Sequence, residues 1–459
     1  MFERVGVDTF FEAAPNVRVD CTLRFGSDRQ RQFDQASGLV VDRPCLCTGL
    51  TEVGVGVPHV GVLVGEITRL FREVVDGWLV CHTWRFDCLA LVRCHHAPIA
   101  TVLRAPPPES RMQAVQLTDH GGREVLTYGE VPDPDPAADE VLVDVKAGAL
   151  NHLDVWTRRG IPGLDLEFPH VPGSDAAGVV VDVGSDVTRF EPGDHVTVWA
   201  GVSCGSCECC RRGEPTLCVD YHVLGEHVPG VHAERIAVPE DNLLLVPEGV
   251  DWATAAAAPL VFGTAWRMLI ERGELEAGES VLVLGASGGV GHAAVQIAAH
   301  AGCEVFATAG TAEKRAHAAE IGADHTIDYT ETNFADEIRA RTGKRGVDVV
   351  VDHVGADTWN DSLRALARGG RVLTCGATTG GRPQTNLDRI FWDQLSVLGS
   401  TMAAPGTAER ACQLVWDGTF EVRIRETLPM SRVARGHELL EGREGFGKVV
   451  VVPDGEYDG

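Results

Sequence analysis

Lysine is almost missing from this chain: of 40 basic residues, four are lysines (Lys146, Lys314, Lys344 and Lys448) and the rest are arginines. Against 66 acidic residues the formal net charge is −26. A surface this negative excludes nucleic acid and anionic membrane as main partners. Long apolar runs are missing too. The most apolar stretch, VGVGVPHVGVLVG at 53–65, is broken by Pro58 and His59 and falls short of the roughly 20 residues a span requires. The opening MFERVGVDTFFEAAP carries acids where a secretory leader has a basic and then an apolar region. The expected address is the cytoplasm, and an acidic, lysine-poor composition is that of a halophilic protein. What is present is a 459-residue chain, 44% hydrophobic, enough for two or three globular domains.

The charge is unevenly placed. Residues 1–111 hold 13 acids and 12 arginines, a net of −1, and the remaining residues hold 53 acids and 28 bases, a net of −25. The first quarter also holds 6 of the 14 cysteines and shows no sustained helical or strand period. In CHTWRFDCLALVRCHH, residues Cys81, Cys88, Cys94, His95 and His96 are metal-ligand types, but their spacing matches no closed zinc pattern. Residues 1–111 are therefore expected to be an upstream or disordered extension without a domain of their own, with the working protein starting at or near Met112. An accessory domain is the alternative.

From Met112 the pattern changes. VLVDVKAGAL at 141–150, AGVVVDVG at 177–184 and HVTVWA at 195–200 read as short strands of a compact β-rich unit. After a helical stretch at about 250–272, strands and helices alternate to about 400. That alternation predicts an α/β fold with a doubly wound parallel sheet.

Within it, VLVLGASGGVGHAAVQIAA at 281–299 runs strand, glycine turn, helix. Gly285, Gly288, Gly289 and Gly291, with Ala286, Ser287 and Val290 between them, let backbone approach a pyrophosphate at a helix N-terminus. The next strand, EVFATAG, ends in Thr308, Ala309 and Gly310, with no carboxylate to hold a ribose 2′-OH. Lys314 and Arg315 follow one turn later. NADP(H) is expected over NAD(H). At 204–218 the text CGSCECCRRGEPTLC spaces Cys204, Cys207, Cys210 and Cys218 as C-x2-C-x2-C-x7-C. Four thiolates close a tetrahedral shell, so one structural Zn²⁺ is expected there, with Cys209 outside the set.

With these pieces in this order, residues 112–453 resemble the medium-chain dehydrogenase/reductase superfamily of zinc alcohol dehydrogenases and quinone oxidoreductases. The resemblance rests on HVPGSDAAGVVVDVGSDVTRFEPGDHV at 170–196, the cysteine lobe, GASGGVG, and GKVVV near the end. It implies a GroES-like catalytic domain over 112–258 with 402–459, carrying the zinc lobe at 200–220, and a Rossmann domain over 259–401. It also implies cofactor contacts at Thr264, Tyr329, Gly376 and Lys448.

The catalytic zinc of the alcohol dehydrogenases is held by Cys, His and Cys. At the matching positions stand Asn151, Ser174 (in G-S-D, with Asp175) and Leu260, which are poor or impossible metal ligands. The stretch N-H-L-D at 151–154 resembles instead the quinone oxidoreductase branch, which implies hydride transfer to a quinone or activated alkene without a metal. The proton donor is then sought among His152, Ser174 and His227, oriented by Asp154 and Asp175. Two other readings stay open: an alcohol dehydrogenase using a metal on Asp175, His152 and His227, and a redox sensor that binds NADPH without turnover. The expected partners are a small-molecule substrate and a second copy, as a homodimer or homotetramer.

Overall fold

The computed structural model describes residues 110–457 apart from position 444, together with the backbone of five strands between Glu12 and Cys94. Those five strands form one antiparallel sheet in the order 12–13, 17–24, 89–94, 78–83, 70–75. Strands thus occur where the sequence showed no sustained period. The side chains there, including Cys81, Cys88, Cys94, His95 and His96, lie outside the described residues, as does most of the segment expected to be an extension.

Residues 109–459 form a separate compact unit. Its first sheet is built on Glu140–Ala149, whose side chains alternate between half-exposed and buried before the last three are all buried. The strand order is Leu243–Leu245, His195–Val198, Asp175–Val183, Glu140–Ala149, Lys448–Val452, Ile424–Pro429, with Arg235–Pro239 also pairing Glu140–Ala149. The C-terminal strand therefore completes a sheet begun 300 residues earlier, as a chain interrupted by an inserted domain must do.

The second sheet has six parallel strands in the order 325–327, 304–308, 280–283, 347–351, 366–374, 396–399. Its central strands, Ser280–Val283 and Val347–Val351, are almost wholly buried, because helices cover both faces. Strand order reverses between 280–283 and 347–351, and ligands of such sheets bind in the crevice at that reversal. Leu366–Arg368 already belongs to the strand Leu366–Thr374. Gly369, at φ +77°, breaks the run, and the pairing slips between Val347 and Val349 to absorb it.

Candidate active site and zinc lobe

Three strand ends bring the central residues together. Leu150 N–H donates to Val449 O at 2.9 Å, so the next residues along the antiparallel pair, Asn151 and Lys448, come side by side. Asp175 pairs with Ala149 on the other flank. The Lys448 ammonium donates to Asn151 Oδ1 at 2.5 Å and Asp175 Oδ2 at 3.1 Å. Asn151 Nδ2 donates to Asp175 Oδ2 at 2.8 Å, and Leu260 N–H donates to Asp175 Oδ1 at 3.2 Å. All four residues are buried. Of the three positions where a catalytic zinc would need Cys, His and Cys, Asn151 and Leu260 thus join a hydrogen-bonded ion pair between Lys448 and Asp175, and Ser174 does not. Asp175 is the one carboxylate in it, and an ammonium already faces it. This set does not fit a metal.

Lys448 was expected at the cofactor. Its stem does pass the glycine turn, with Cδ 3.3 Å from where a Cβ on Gly289 would stand, but its charge ends among Asn151 and Asp175. Asp154 sits at the first turn of helix His152–Arg159 and its Oδ2 accepts Asn151 N–H at 2.7 Å. Burial pushes its carboxyl up to about 7, against the opposing pull of that N–H and of Lys448. His152 is driven down to about 4, by burial first and then by the neighbouring His353, Arg443 and Lys448. It is a neutral imidazole at pH 7.

Two candidate proton donors are placed elsewhere. Ser174 Oγ donates to Leu224 O at 2.8 Å inside the protein, so its hydroxyl is committed to backbone. His227 Nδ1 accepts Val223 N–H at 3.3 Å within its own turn and lies 3.6 Å from Glu226. The set Asp175, His152 and His227 is not gathered. Among the described residues, the one group of Cys, His, Asp or Glu whose donor atoms converge as a metal set is Cys204, Cys207, Cys210 and Cys218.

Those four sulfurs lie within 4.8 Å of one another, with Cys207–Cys210 at 3.5 Å and Cys204–Cys218 at 3.4 Å. A tetrahedral Zn–S₄ centre with bonds of about 2.3 Å spaces its sulfurs by about 3.8 Å, so the donor set fits zinc with no position left open. Gly205 at φ +66° makes the reversal between the first two cysteines. Backbone N–H groups of Cys204 and Asp220 point at Cys218 Sγ at 3.4 and 3.3 Å, which suits a thiolate.

At the dinucleotide turn, Gly285 has φ +60°, and a Cβ on Gly291 would stand 2.3 Å from Gly285 O, so both positions require glycine. Helix Gly289–His300 starts on the turn. Thr308 is buried, and its Oγ1 accepts Gly285 N–H at 3.1 Å, bracing the turn. Thr264 is likewise buried, 4.0 Å from Met402 Sδ. Tyr329 is half exposed, and its hydroxyl lies 3.0 Å from the Cβ position of Gly310, at the end of strand 304–308. Lys314 Nζ donates to Arg443 O at 2.6 Å. Arg315, expected beside a 2′-phosphate, is ion-paired with Asp328 and so brings less net charge than the sequence implied. Ser287 O accepts Gly447 N–H at 3.4 Å.

Sequence reasoning missed three residues of this crevice. His353 follows strand Val347–Val351, Trp156 lies one turn beyond His152, and Arg443 lies in the loop before Lys448. A Cβ at Gly376 would meet the Trp156 ring at 3.6 Å and His353 Cβ at 3.9 Å. The signal for His353 was available, since the strand before it adjoins the one before the glycine turn.

The fold and crevice are those of a two-domain dehydrogenase. The description "Alcohol dehydrogenase GroES-like domain" matches residues 137–248 and "Zinc-binding dehydrogenase" matches residues 289–417. The acryloyl-coenzyme A reductase of Sulfurisphaera tokodaii is 32% identical over 72% of this chain and 98% of its own length. The quinone oxidoreductase of Homo sapiens is 30% identical over 74% of this chain and 98% of its own. A crystal structure of an NAD-dependent alcohol dehydrogenase superposes with a TM-score of 0.72 at 44% identity, covering 74% of this chain and 99% of that one. The chain belongs to the medium-chain dehydrogenase/reductase superfamily and is an oxidoreductase of the NAD(P)-binding type.

Proposed function

We propose that the protein reduces a carbon–carbon double bond conjugated to a carbonyl, as in an α,β-unsaturated acyl thioester or a quinone, with NADPH as hydride donor and no catalytic metal. The observation that carries this reading is the buried Lys448 ammonium, held by Asn151 and Asp175 where the alcohol dehydrogenases would place zinc. The names of the relatives, an acryloyl-coenzyme A reductase and a quinone oxidoreductase, support the substrate class.

When bound at the glycine turn, the reduced cofactor would supply a hydride to the β carbon of the acceptor. Charge then develops on the carbonyl oxygen as an enolate or quinolate, and a fixed cation in a water-poor pocket stabilises it better than bulk solvent does. Lys448 is that cation. A proton must next reach the α carbon or the quinolate oxygen. His152, neutral, half-buried and next in sequence to Asn151, is the side chain assigned to hand it on from solvent. Asp154 holds the Asn151 backbone and so the geometry of the trio.

NADP(H) is preferred over NAD(H) in this reading because Thr308–Gly310 offers no carboxylate, while Tyr329 and Lys314 flank the same strand end. The four cysteines hold a structural zinc. The protein is taken to work in the cytoplasm, and among the described residues no helix is long and apolar enough to cross a membrane. Self-association as a homodimer or homotetramer is assigned to the edge strand Ser396–Gly399, beside exposed Leu387, Phe391 and Trp392. Light scattering of wild type and Trp392→Glu tests that last point: a smaller particle for the variant is expected, and an unchanged one contradicts it. The substrate reading is tested by following NADPH absorbance with a panel of enoyl thioesters, quinones and aldehydes. Turnover confined to aldehydes or alcohols would contradict it.

A further inference from the structure

We propose that His317 is a positioning residue for Lys448, acting through the Phe446 ring, and that a proton taken up by His317 shifts the Lys448 ammonium. The inference rests on the reading above in which Lys448 is the fixed cation. Phe446 stands two residues before Lys448 and lies on the His317 imidazole, with ring centroids 4.1 Å apart and planes 19° from parallel. The guanidinium carbon of Arg423 is 5.4 Å from the centroid of the same ring. Arg423 O accepts the Lys448 N–H at 2.7 Å, and Ser287 O accepts the Gly447 N–H at 3.4 Å. A Cβ on Gly447, at φ +95°, would stand 2.5 Å from Arg423 O, so this approach requires glycine. Arg423 thus touches Lys448 through its backbone and Phe446 through its side chain. Lys314, on the helix that carries His317, donates to Arg443 O at 2.6 Å and docks the loop at a second point.

The hydrogen bonds decide where a proton can go. His317, on helix Ala312–Glu320, and His292, on helix Gly289–His300, are both buried, and their rings are parallel to within 6°. A carbonyl only accepts, so the 2.6 Å contact of His292 Nε2 with Glu421 O places a proton on that nitrogen. His292 Nδ1 is then a lone pair, and His317 Nε2–H donates to it at 3.2 Å. Gln296 fixes the far end, donating to Glu421 O at 2.9 Å and accepting the Glu421 N–H at 2.7 Å. The one nitrogen of the pair left to take up a proton is His317 Nδ1, 3.8 Å from Glu320 Oε2.

The charged groups facing His317 are Glu320 on its own helix and Glu421 and Arg423 just before strand Ile424–Pro429. Burial above all, and then Arg423, holds its imidazole below the ordinary range, against the pull of Glu421 and Glu320. His292 beside it is held down to about 4, chiefly by burial. His317 is therefore neutral at pH 7 and takes its proton in acid. Protonated, it sets a second cation on the ring that Arg423 already meets. The exposed Arg423 side chain is the one with room to retreat, and its carbonyl holds the start of the Lys448 strand.

The test reads Lys448 directly and needs no substrate. The chain has four lysines, so labelling lysine Cε with carbon-13 gives few side-chain signals, assigned by replacing Lys146, Lys314 and Lys344 in turn by arginine. These signals and the histidine ring signals are followed against pH in wild type, His317→Gln, Phe446→Leu and Phe446→Tyr. His317→Gln keeps a donor towards His292 and removes the base. The expected wild-type Lys448 signal moves in a step that shares the midpoint of the His317 ring signal. That step is lost in His317→Gln, is lost in Phe446→Leu although His317 still titrates, and is kept in Phe446→Tyr. The separate step from Asp154, which titrates at about 7 near Lys448, stays in all four proteins. A wild-type Lys448 signal without the His317 step, or a step that survives His317→Gln, overturns the proposal. If His317→Gln does not fold, the two Phe446 variants decide by the same loss and retention. A protein that keeps the step yet oxidises NADPH with no enoyl thioester or quinone overturns the reductase reading alone, which separates that failure from this one.

Discussion

The Lys448 ammonium and the Asp175 carboxylate face each other at 3.1 Å, with six and one per cent of their side chains exposed. A buried pair of this kind adds little net stability over an apolar replacement, but removing one partner leaves the other charge uncompensated. Lys448→Met is therefore expected to cost about 3–5 kcal/mol in guanidinium unfolding. The companion double variant, Lys448→Met with Asp175→Leu, is expected to recover much of that stability and still to lack activity. Stability and activity returning together would contradict the electrostatic role.

Asp154 gives the pH dependence a sign. Its carboxyl is raised to about 7 from 3.8, first by burial, with Asp175 and Glu226 adding repulsion and Lys448 opposing it. The folded protein holds this proton more tightly than the unfolded chain does. The resulting stability is fully present below pH about 4 and is lost as the pH rises through about 7. Unfolding measured across that window should show wild type falling by about 2–4 kcal/mol relative to Asp154→Asn. Parallel curves for the two proteins would contradict the assignment.

Much of this was legible in the sequence, for identifiable reasons. The cysteine lobe could be read because its four ligands lie within 15 residues, and the glycine turn because Gly285 and Gly291 have no substitute there. The Lys448–Asp175 pair was not legible, since 273 positions separate the two and strand register alone joins them. Ser174 and His227 looked like proton donors because a sequence shows a hydroxyl or an imidazole but not the Leu224 carbonyl or Val223 N–H it serves. Arg315 looked unengaged for the same reason, its partner Asp328 lying on the far side of a helix and a strand.

The cysteine lobe should carry a single zinc. Cys204→Ser is expected to release it and to lower the thermal midpoint, while NADPH still binds, because the four sulfurs close the coordination shell away from the Lys448 trio. Metal analysis with an NADPH titration checks both parts. Loss of NADPH binding together with the zinc would show the lobe to be coupled to the cofactor site.

Cofactor choice turns on Lys314. Lys314→Ala should weaken NADPH binding by about ten-fold and NADH binding hardly at all. Arg315→Ala should matter less, since Asp328 already takes its charge. High salt screens the exposed contact, so the titrations belong at several salt concentrations. Equal losses for both cofactors, or a wild type that prefers NADH, would contradict the preference.

The central claim is reduction of an activated double bond by a site whose fixed cation is Lys448 and not a metal. The measurement that reaches it most directly is NADPH oxidation with an α,β-unsaturated acyl thioester, before and after brief chelation, with zinc counted on the same sample. The account predicts turnover that persists through chelation at no more than a single zinc per chain, and loss of turnover in Lys448→Met. Oxidation of simple alcohols that requires a second zinc, and that Lys448→Met retains, would contradict it.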